Sequence, residues 1–192
     1  MELICQDKER EIMQSYYTST YMSRKRKRKL REKIIFYIVG IVLAVLAAFL
    51  LIRFCFFGIH MRGDSMKPSI KDGQFCIASR LNYSISSPKR DDIVVFQNGE
   101  EGHSYYIKRV VAVPGDTIVI KDGEILVNGK KIDQKGSETI LSGGLAGKEV
   151  KLEKDQYFVL GDNYNNSEDS RVSSVGNVME ENVIGKIILK LW

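Results

Sequence analysis

Residues 34–52, IIFYIVGIVLAVLAAFLLI, run nineteen residues without a charge. At about 1.5 Å of rise per residue, a helix of that length spans roughly 28 Å, close to the hydrocarbon thickness of a bilayer. Immediately before it stands RKRKRKLREK, residues 24–33, with eight basic residues and one acid. Such a run has three readings. Short Lys/Arg clusters match nucleic-acid and nuclear-targeting patches by chance. A secretory signal peptide has an apolar core of about 7–15 residues followed by a small-residue cleavage site, whereas Ala44, Ala47 and Ala48 lie inside the apolar run. The third reading, basic residues kept on the cytoplasmic side of a spanning helix, fits both length and flank. The sequence is therefore expected to divide into a cytoplasmic basic arm over 1–33, a transmembrane helix over 34–57 and an extracytoplasmic domain over 58–192. In that scheme Arg53 snorkels, and Phe54, Phe56 and Phe57 extend the contact with lipid.

The net charge of +5 belongs wholly to this arm. Residues 1–33 carry ten Lys/Arg and five Asp/Glu, and the rest of the chain carries nineteen of each sign. The basic character is thus a matter of position and implies a lipid bilayer, not a nucleic acid, as partner. Three cysteines, Cys5, Cys55 and Cys76, build neither a disulfide scaffold nor a four-thiolate zinc site. Cys55 and Cys76 read as unpaired. With His60 and His103 the only histidines and no HExxH, a histidine-based metalloprotease site is not expected, nor is any metal or cofactor.

Beyond residue 58 short β-prone runs recur: 74–79 (QFCIAS), 92–97 (DIVVFQ), 105–113 (YYIKRVVAV) and 156–160 (QYFVL). Residues 117–132, TIVIKDGEILVNGKKI, read as a meander with Asp122-Gly123 and Asn128-Gly129 at its turns. The first 23 residues show no pattern, and Gly143-Gly144 reads as loop. The expected fold is mainly β: a compact antiparallel β domain preceded by one N-terminal transmembrane helix.

Three places are chemically suggestive. GDSMKPS, residues 63–69, sets Ser65 in a tight turn that can present a hydroxyl and backbone N–H groups together. Lys108 lies in a strand-like run, on the same face as Tyr106 and Val110; locally it reads equally as an edge-strand lysine that blunts aggregation. Residues 161–171, GDNYNNSEDSR, read on composition alone as a polar loop. His60 and His103 read as ordinary surface or interface residues.

GDSMKPS, RDDIVVF, YIKRVVAVPGD and GDNYNNSEDSR follow one another in this order after a single basic-flanked anchor. The chain resembles the bacterial type I signal peptidases, in the form typical of Gram-positive bacteria, from the anchor to its carboxyl end. The resemblance implies a serine endopeptidase that removes signal peptides from exported preproteins, cleaving after small residues. It implies Ser65 as nucleophile and Lys108 as general base of a Ser-Lys dyad. Free lysine titrates at about 10.4, so Lys108 must be buried to lose its proton, and neutrality near pH 7 means destabilising the ammonium by roughly 4 kcal/mol.

The same resemblance makes the Ser65 N–H one oxyanion donor and puts Gly63 where relatives carry a serine donor, so that a backbone donor is expected there. Ser167 matches a serine that hydrogen-bonds the catalytic lysine, Asp169 and Arg171 match a structural ion pair, and Asp162 matches a supporting carboxylate. Met61, Met66, Ile70, Val95 and Ile107 match pocket-lining positions, with plain core packing as the other reading. Three positions depart from the family pattern: Asp91 stands where Gly is usual, Ser69 where Thr is common, and Tyr164 where Arg is frequent. Self-cleaving repressors share the chemistry but are soluble. A catalytically silent β module remains a second class, which the retained Lys108 disfavours.

Overall fold

The structure is a computed structural model that describes residues 2–81, 83, 86–98, 104–136 and 138–191; His103 lies outside them. The chain divides into two units, Met1–Ile52 and Arg53–Trp192. One helix, α1 (Glu2–Cys55), begins in the first and ends just inside the second. The segment Arg28–Cys55 is long and apolar enough to cross a bilayer, and the side chains of residues 34–52 are exposed. The basic arm is helical too. It contains neither Gly nor Pro, so nothing interrupts the ladder, and Arg28 Nε donates to Glu32 at 3.1 Å across one turn.

The helix stops short of the expected 57. Phe56 and Phe57 instead open strand β1 (Phe56–His60) and pair with Ser79 and Ala78 of β2 (Phe75–Ser79). Aromatic side chains suit a half-buried pleated surface as well as they suit lipid, and here the strand wins. Phe57 packs against buried core, with the Arg80 guanidinium 4.8 Å from its ring centroid. Gly58 leaves room for the ring of Phe75, which any Cβ would strike.

The second unit is built from antiparallel pairs. Strands β3 (Ile93–Gln97), β4 (Tyr105–Ala112), β9 (Gln156–Leu160), β10 (Val178–Met179) and β11 (Val183–Lys190) join the first two in a seven-stranded sheet of order β1-β2-β11-β3-β4-β9-β10. A four-stranded sheet of order β7-β6-β5-β8 holds β5 (Thr117–Lys121), β6 (Glu124–Val127), β7 (Lys130–Lys131) and β8 (Val150–Lys151). The expected meander is β5 to β7. Asp122 and Gly123 (φ 52° and 77°), like Asn128 and Gly129 (φ 52° and 73°), take the left-handed pairs that a type I′ hairpin turn requires. Gly143-Gly144, expected in a loop, lead into a single 3₁₀ turn, Gly144–Gly147. One apolar cluster, with Ile118, Ile125, Leu152 and Phe158, packs strands of both sheets together. A second, with Met66, Ile70, Val95 and Ile107, lies within the seven-stranded sheet's side of the domain.

A buried carboxylate fastens the junction. Asp116 is 6% exposed and ends a turn with Pro114 and Gly115 at its centre, where Gly115 has φ 85°. It accepts from Arg90 Nη2 at 2.6 Å, from the Val113 N–H at 2.9 Å and from Asn128 Nδ2 at 2.8 Å. Burial alone would push its carboxyl up, but Arg90 and the other donors hold it below the ordinary value of 3.8. Its contribution to stability is therefore present above that value and lost as pH falls through the lowered one. Replacing Asp116 with Ala is expected to destabilise the domain by about 2–3 kcal/mol, read as a lower denaturation midpoint of the full chain in detergent. An unchanged midpoint would show that the junction is held by packing alone.

Candidate active site

After β1 the chain makes a closed loop. Met61 N–H donates to the Gln74 carbonyl, and Gly73 N–H to the Met61 carbonyl, both at 2.9 Å. Met66 and Ile70, each 0% exposed, pin the loop from below, and the Ile70 N–H donates to the Met66 carbonyl at 2.8 Å. Gly63 has φ 79°, the left-handed region that favours glycine. Its N–H donates to Asp72 Oδ1 at 2.7 Å. That amide is already engaged, contrary to the expectation of a free backbone donor at this position.

Lys108 arrives from β4, whose pairing with β3 sets Lys108 opposite Val94. It is 4% exposed, and its Nζ donates to Ser65 Oγ at 2.7 Å. Burial pulls the lysine below its ordinary 10.5; Asp169 and Glu168 pull it back up, and Arg171 adds to the lowering. A buried amine in contact with a hydroxyl is a nucleophile–base pair once the amine is neutral, because its lone pair then accepts the hydroxyl proton. The same burial has a stability cost. Below 10.5 the unfolded chain binds a proton that the folded one holds less well, so the cost is full below the lowered value and vanishes as pH rises through 10.5.

Two bidentate ion pairs brace the pair from behind. Asp169 (0% exposed) meets Arg171 Nε and Nη2, both at 2.8 Å, and accepts the Gly161 N–H at 3.1 Å. Asp162 (2% exposed) meets Arg109 Nε and Nη2, both at 2.7 Å. Arg109 follows Lys108 directly and was not singled out in the sequence. Its signal was there: a second cation inside the same strand-like run, with Asp162 expected as a supporting carboxylate but given no partner. Arg109 also reaches Ser69 Oγ at 3.2 Å and the Asp91 carbonyl at 2.8 Å.

These contacts account for the three departures. Ser69 keeps a hydroxyl for Arg109. Asp91 sits at φ 70°, a conformation glycine takes freely, which explains why glycine is usual there; an aspartate tolerates it better than most side chains. Tyr164 is 4% exposed, and its hydroxyl accepts the N–H groups of Lys135 and Gly136 at 3.0 and 3.2 Å.

Two further expectations need correction. Ser167 does not hydrogen-bond Lys108: its Oγ is buried with no partner and is packed against Gly161. Of the five pocket candidates, Met61 and Ile107 line a groove of about 670 Å³ that contains Ser65, Lys108 and Glu168. Met66, Ile70 and Val95, each 0% exposed, lie wholly inside the core beneath it. Two chain segments, Gly58 to Arg62 and Ser104 to Lys108, supply most of the groove's lining. His60, exposed, is part of its wall, with its ring 4.9 Å from that of Phe75. Cys55 and Cys76 are free thiols.

The family model described as signal peptidase, peptidase S26, matches residues 34–192. The chain belongs to the signal peptidase family. Within that family it is 35% identical over 171 residues to signal peptidase I P of Bacillus subtilis subsp. natto, covering 84% of this chain and 90% of that one. It is 36% identical over 156 residues to signal peptidase I T of Bacillus subtilis (strain 168), covering 76% and 79%. A crystal structure of a signal peptidase I from Enterococcus faecalis V583 aligns with a TM-score of 0.45 at 26% identity, covering 54% of this chain and 98% of that one. This member of the family is a peptidase with a mainly antiparallel β domain after an apolar N-terminal helix.

A Cβ on Gly161 would overlap both Ser167 Oγ and the Ser65 carbonyl. Gly161→Ala is therefore expected to displace Ser65 from Lys108 and lower peptidase kcat by about a hundredfold, with a melting temperature that falls only modestly. Full activity in this variant would show that the Ser65 loop adapts.

Proposed function

We propose that the protein is a membrane-anchored serine endopeptidase that removes N-terminal signal peptides from exported preproteins, with Ser65 as nucleophile and Lys108 as general base. The 2.7 Å contact between a nearly inaccessible amine and a hydroxyl carries this reading. Neutral Lys108 takes the Ser65 proton as Oγ attacks the scissile carbonyl. The oxyanion that forms meets the Ser65 N–H. Lys108 then passes the proton to the departing amine, and the acyl-serine is hydrolysed by a water that the same amine deprotonates.

The substrate lies extended in the groove. The edge of β4 over residues 105–108 faces β3 on one side, while its pairing with β9 starts only at Arg109. A peptide strand has main-chain groups to meet there, which sets its register. Met61 and Ile107, resting on the incompressible core of Met66, Ile70 and Val95, leave depth for small side chains and reject large ones by overlap. The basic run before the apolar helix keeps the amino terminus cytoplasmic. Ser65 follows Ile52 by thirteen residues, which keeps the reaction near the outer leaflet of the bilayer, where signal peptides emerge.

Purified full-length protein in detergent is expected to cleave a preprotein after a small residue, and Ser65→Ala and Lys108→Ala each to lose at least about a thousandfold in kcat. Equal cleavage by all three would remove the dyad and leave an anchored β module. Because burial lowers Lys108 below 10.5, kcat/KM is expected to climb with pH through that lowered value and then level off. A rate that stays flat from about pH 5 to about pH 10 would exclude a titrating lysine base.

A further inference from the structure

Among the described residues, Asn163 alone bonds two successive carbonyls of the nucleophile loop. Its backbone N–H donates to the Ser65 carbonyl at 3.0 Å, and its side-chain Nδ2 donates to the Asp64 carbonyl at 3.1 Å. The second contact bears directly on the chemistry. The Asp64 carbonyl and the Ser65 N–H belong to one planar trans peptide, so they point in opposite directions and turn together. The same carbonyl accepts the Lys67 N–H at 3.1 Å from within the loop, and Asn163 holds it from outside the loop; together they aim the N–H. Only the NH₂ end of the amide can face a carbonyl, so the orientation of Asn163 is set as well. Donation to the carbonyl also polarises the peptide and strengthens its N–H as a donor. The neighbouring Gly63 N–H is already committed to Asp72. The residue before Asn163, Asp162, grips Arg109 beside Lys108, so this dipeptide connects the base strand to the nucleophile loop.

We propose that Asn163 is a positioning residue that directs the Ser65 N–H at the developing oxyanion. This deepens the serine-peptidase reading above and rests on it. Asn163 does not touch the substrate carbonyl; it acts through the Asp64–Ser65 peptide.

The test uses the full-length chain in detergent, with Asn163→Ala and the isosteric Asn163→Asp, whose carboxylate cannot donate to a carbonyl. Rates are taken on the plateau of each variant's pH profile, so that the charge added by Asp does not act through the protonation of Lys108. Both variants are expected to lose about tenfold to a hundredfold in kcat while KM stays within about twofold. The decisive probe is a peptide boronic acid ending in alanine. Ser65 Oγ bonds to its boron, the proton passes to Lys108, and the boron becomes tetrahedral and anionic. Its affinity is expected to fall by the same factor as kcat/KM, whereas intact preprotein binds Ser65→Ala and Ser65→Ala/Asn163→Ala equally well. Unchanged boronate affinity, or a loss confined to KM, overturns the proposal. Should Asn163→Ala fail to fold, Asn163→Asp decides it alone, and parental activity in that variant overturns it. Cleavage by Ser65→Ala and Lys108→Ala at the parental rate would instead bring down the serine–lysine reading, so the two failures are distinct.

Discussion

A lysine amine held away from water is the constraint around which this domain is arranged. In solution an ammonium is strongly hydrated and has no lone pair to offer; on β4, covered to 4% exposure, Lys108 makes no ion pair with the described residues and meets a hydroxyl instead. Such a placement is unfavourable in itself, and the neighbouring groups limit the damage. Asp169 is the strongest threat to neutrality, since a free carboxylate there would call the proton back. Its bidentate bond to Arg171 balances it, and the two charges enter the core together. A buried ion pair of this kind adds little to net stability, but it quiets the field around the amine.

The charged residues behind the site share a pattern. Asp162 with Arg109, Asp169 with Arg171 and Asp116 with Arg90 each set a carboxylate at 6% exposure or less against a forked guanidinium. Two parallel hydrogen bonds fix direction as well as distance. A flexible lysine in these places would supply the charge without the angle. Loops that would otherwise move on their own, 61–74 and 161–171, are therefore tied to strands, and the hydroxyl and amine inherit the rigidity of the sheet.

Much of this was legible in the sequence, for identifiable reasons. The strands at 74–79, 92–97, 105–113 and 156–160 announce themselves because each is a compact β-prone run, and they appear within one residue or so of those bounds. The two left-handed turns announce themselves through Asp-Gly and Asn-Gly. Strand β11 did not, because its ladder shifts register between Val183 and Gly185 and again between Ile187 and Leu189, which erases the period of two that marks a strand. Strand β1 was masked by its aromatic residues, which extend the apolar helix without a break in hydropathy. In the site, Ser65 and Lys108, the proposed nucleophile and base, were readable from motif. Arg109, whose role is to be gripped, and Asn163, whose role depends on where a distant carbonyl falls, were not. Ser167 shows the converse: a motif match named a partner that the folded geometry does not give it.

Strand β11 lies between β2 and β3, and this has a temporal consequence. Ser65 belongs to the half of the sheet that begins with β1 and β2, and Lys108 to the half that begins with β3 and β4; the strand that sews the halves together is made after both. A chain emerging from the ribosome carries hydroxyl and amine long before it carries residues 183–190. Until those residues insert, the two halves have no common sheet to hold them in register. Closure of this sheet therefore waits on the strand that is synthesised last among its seven.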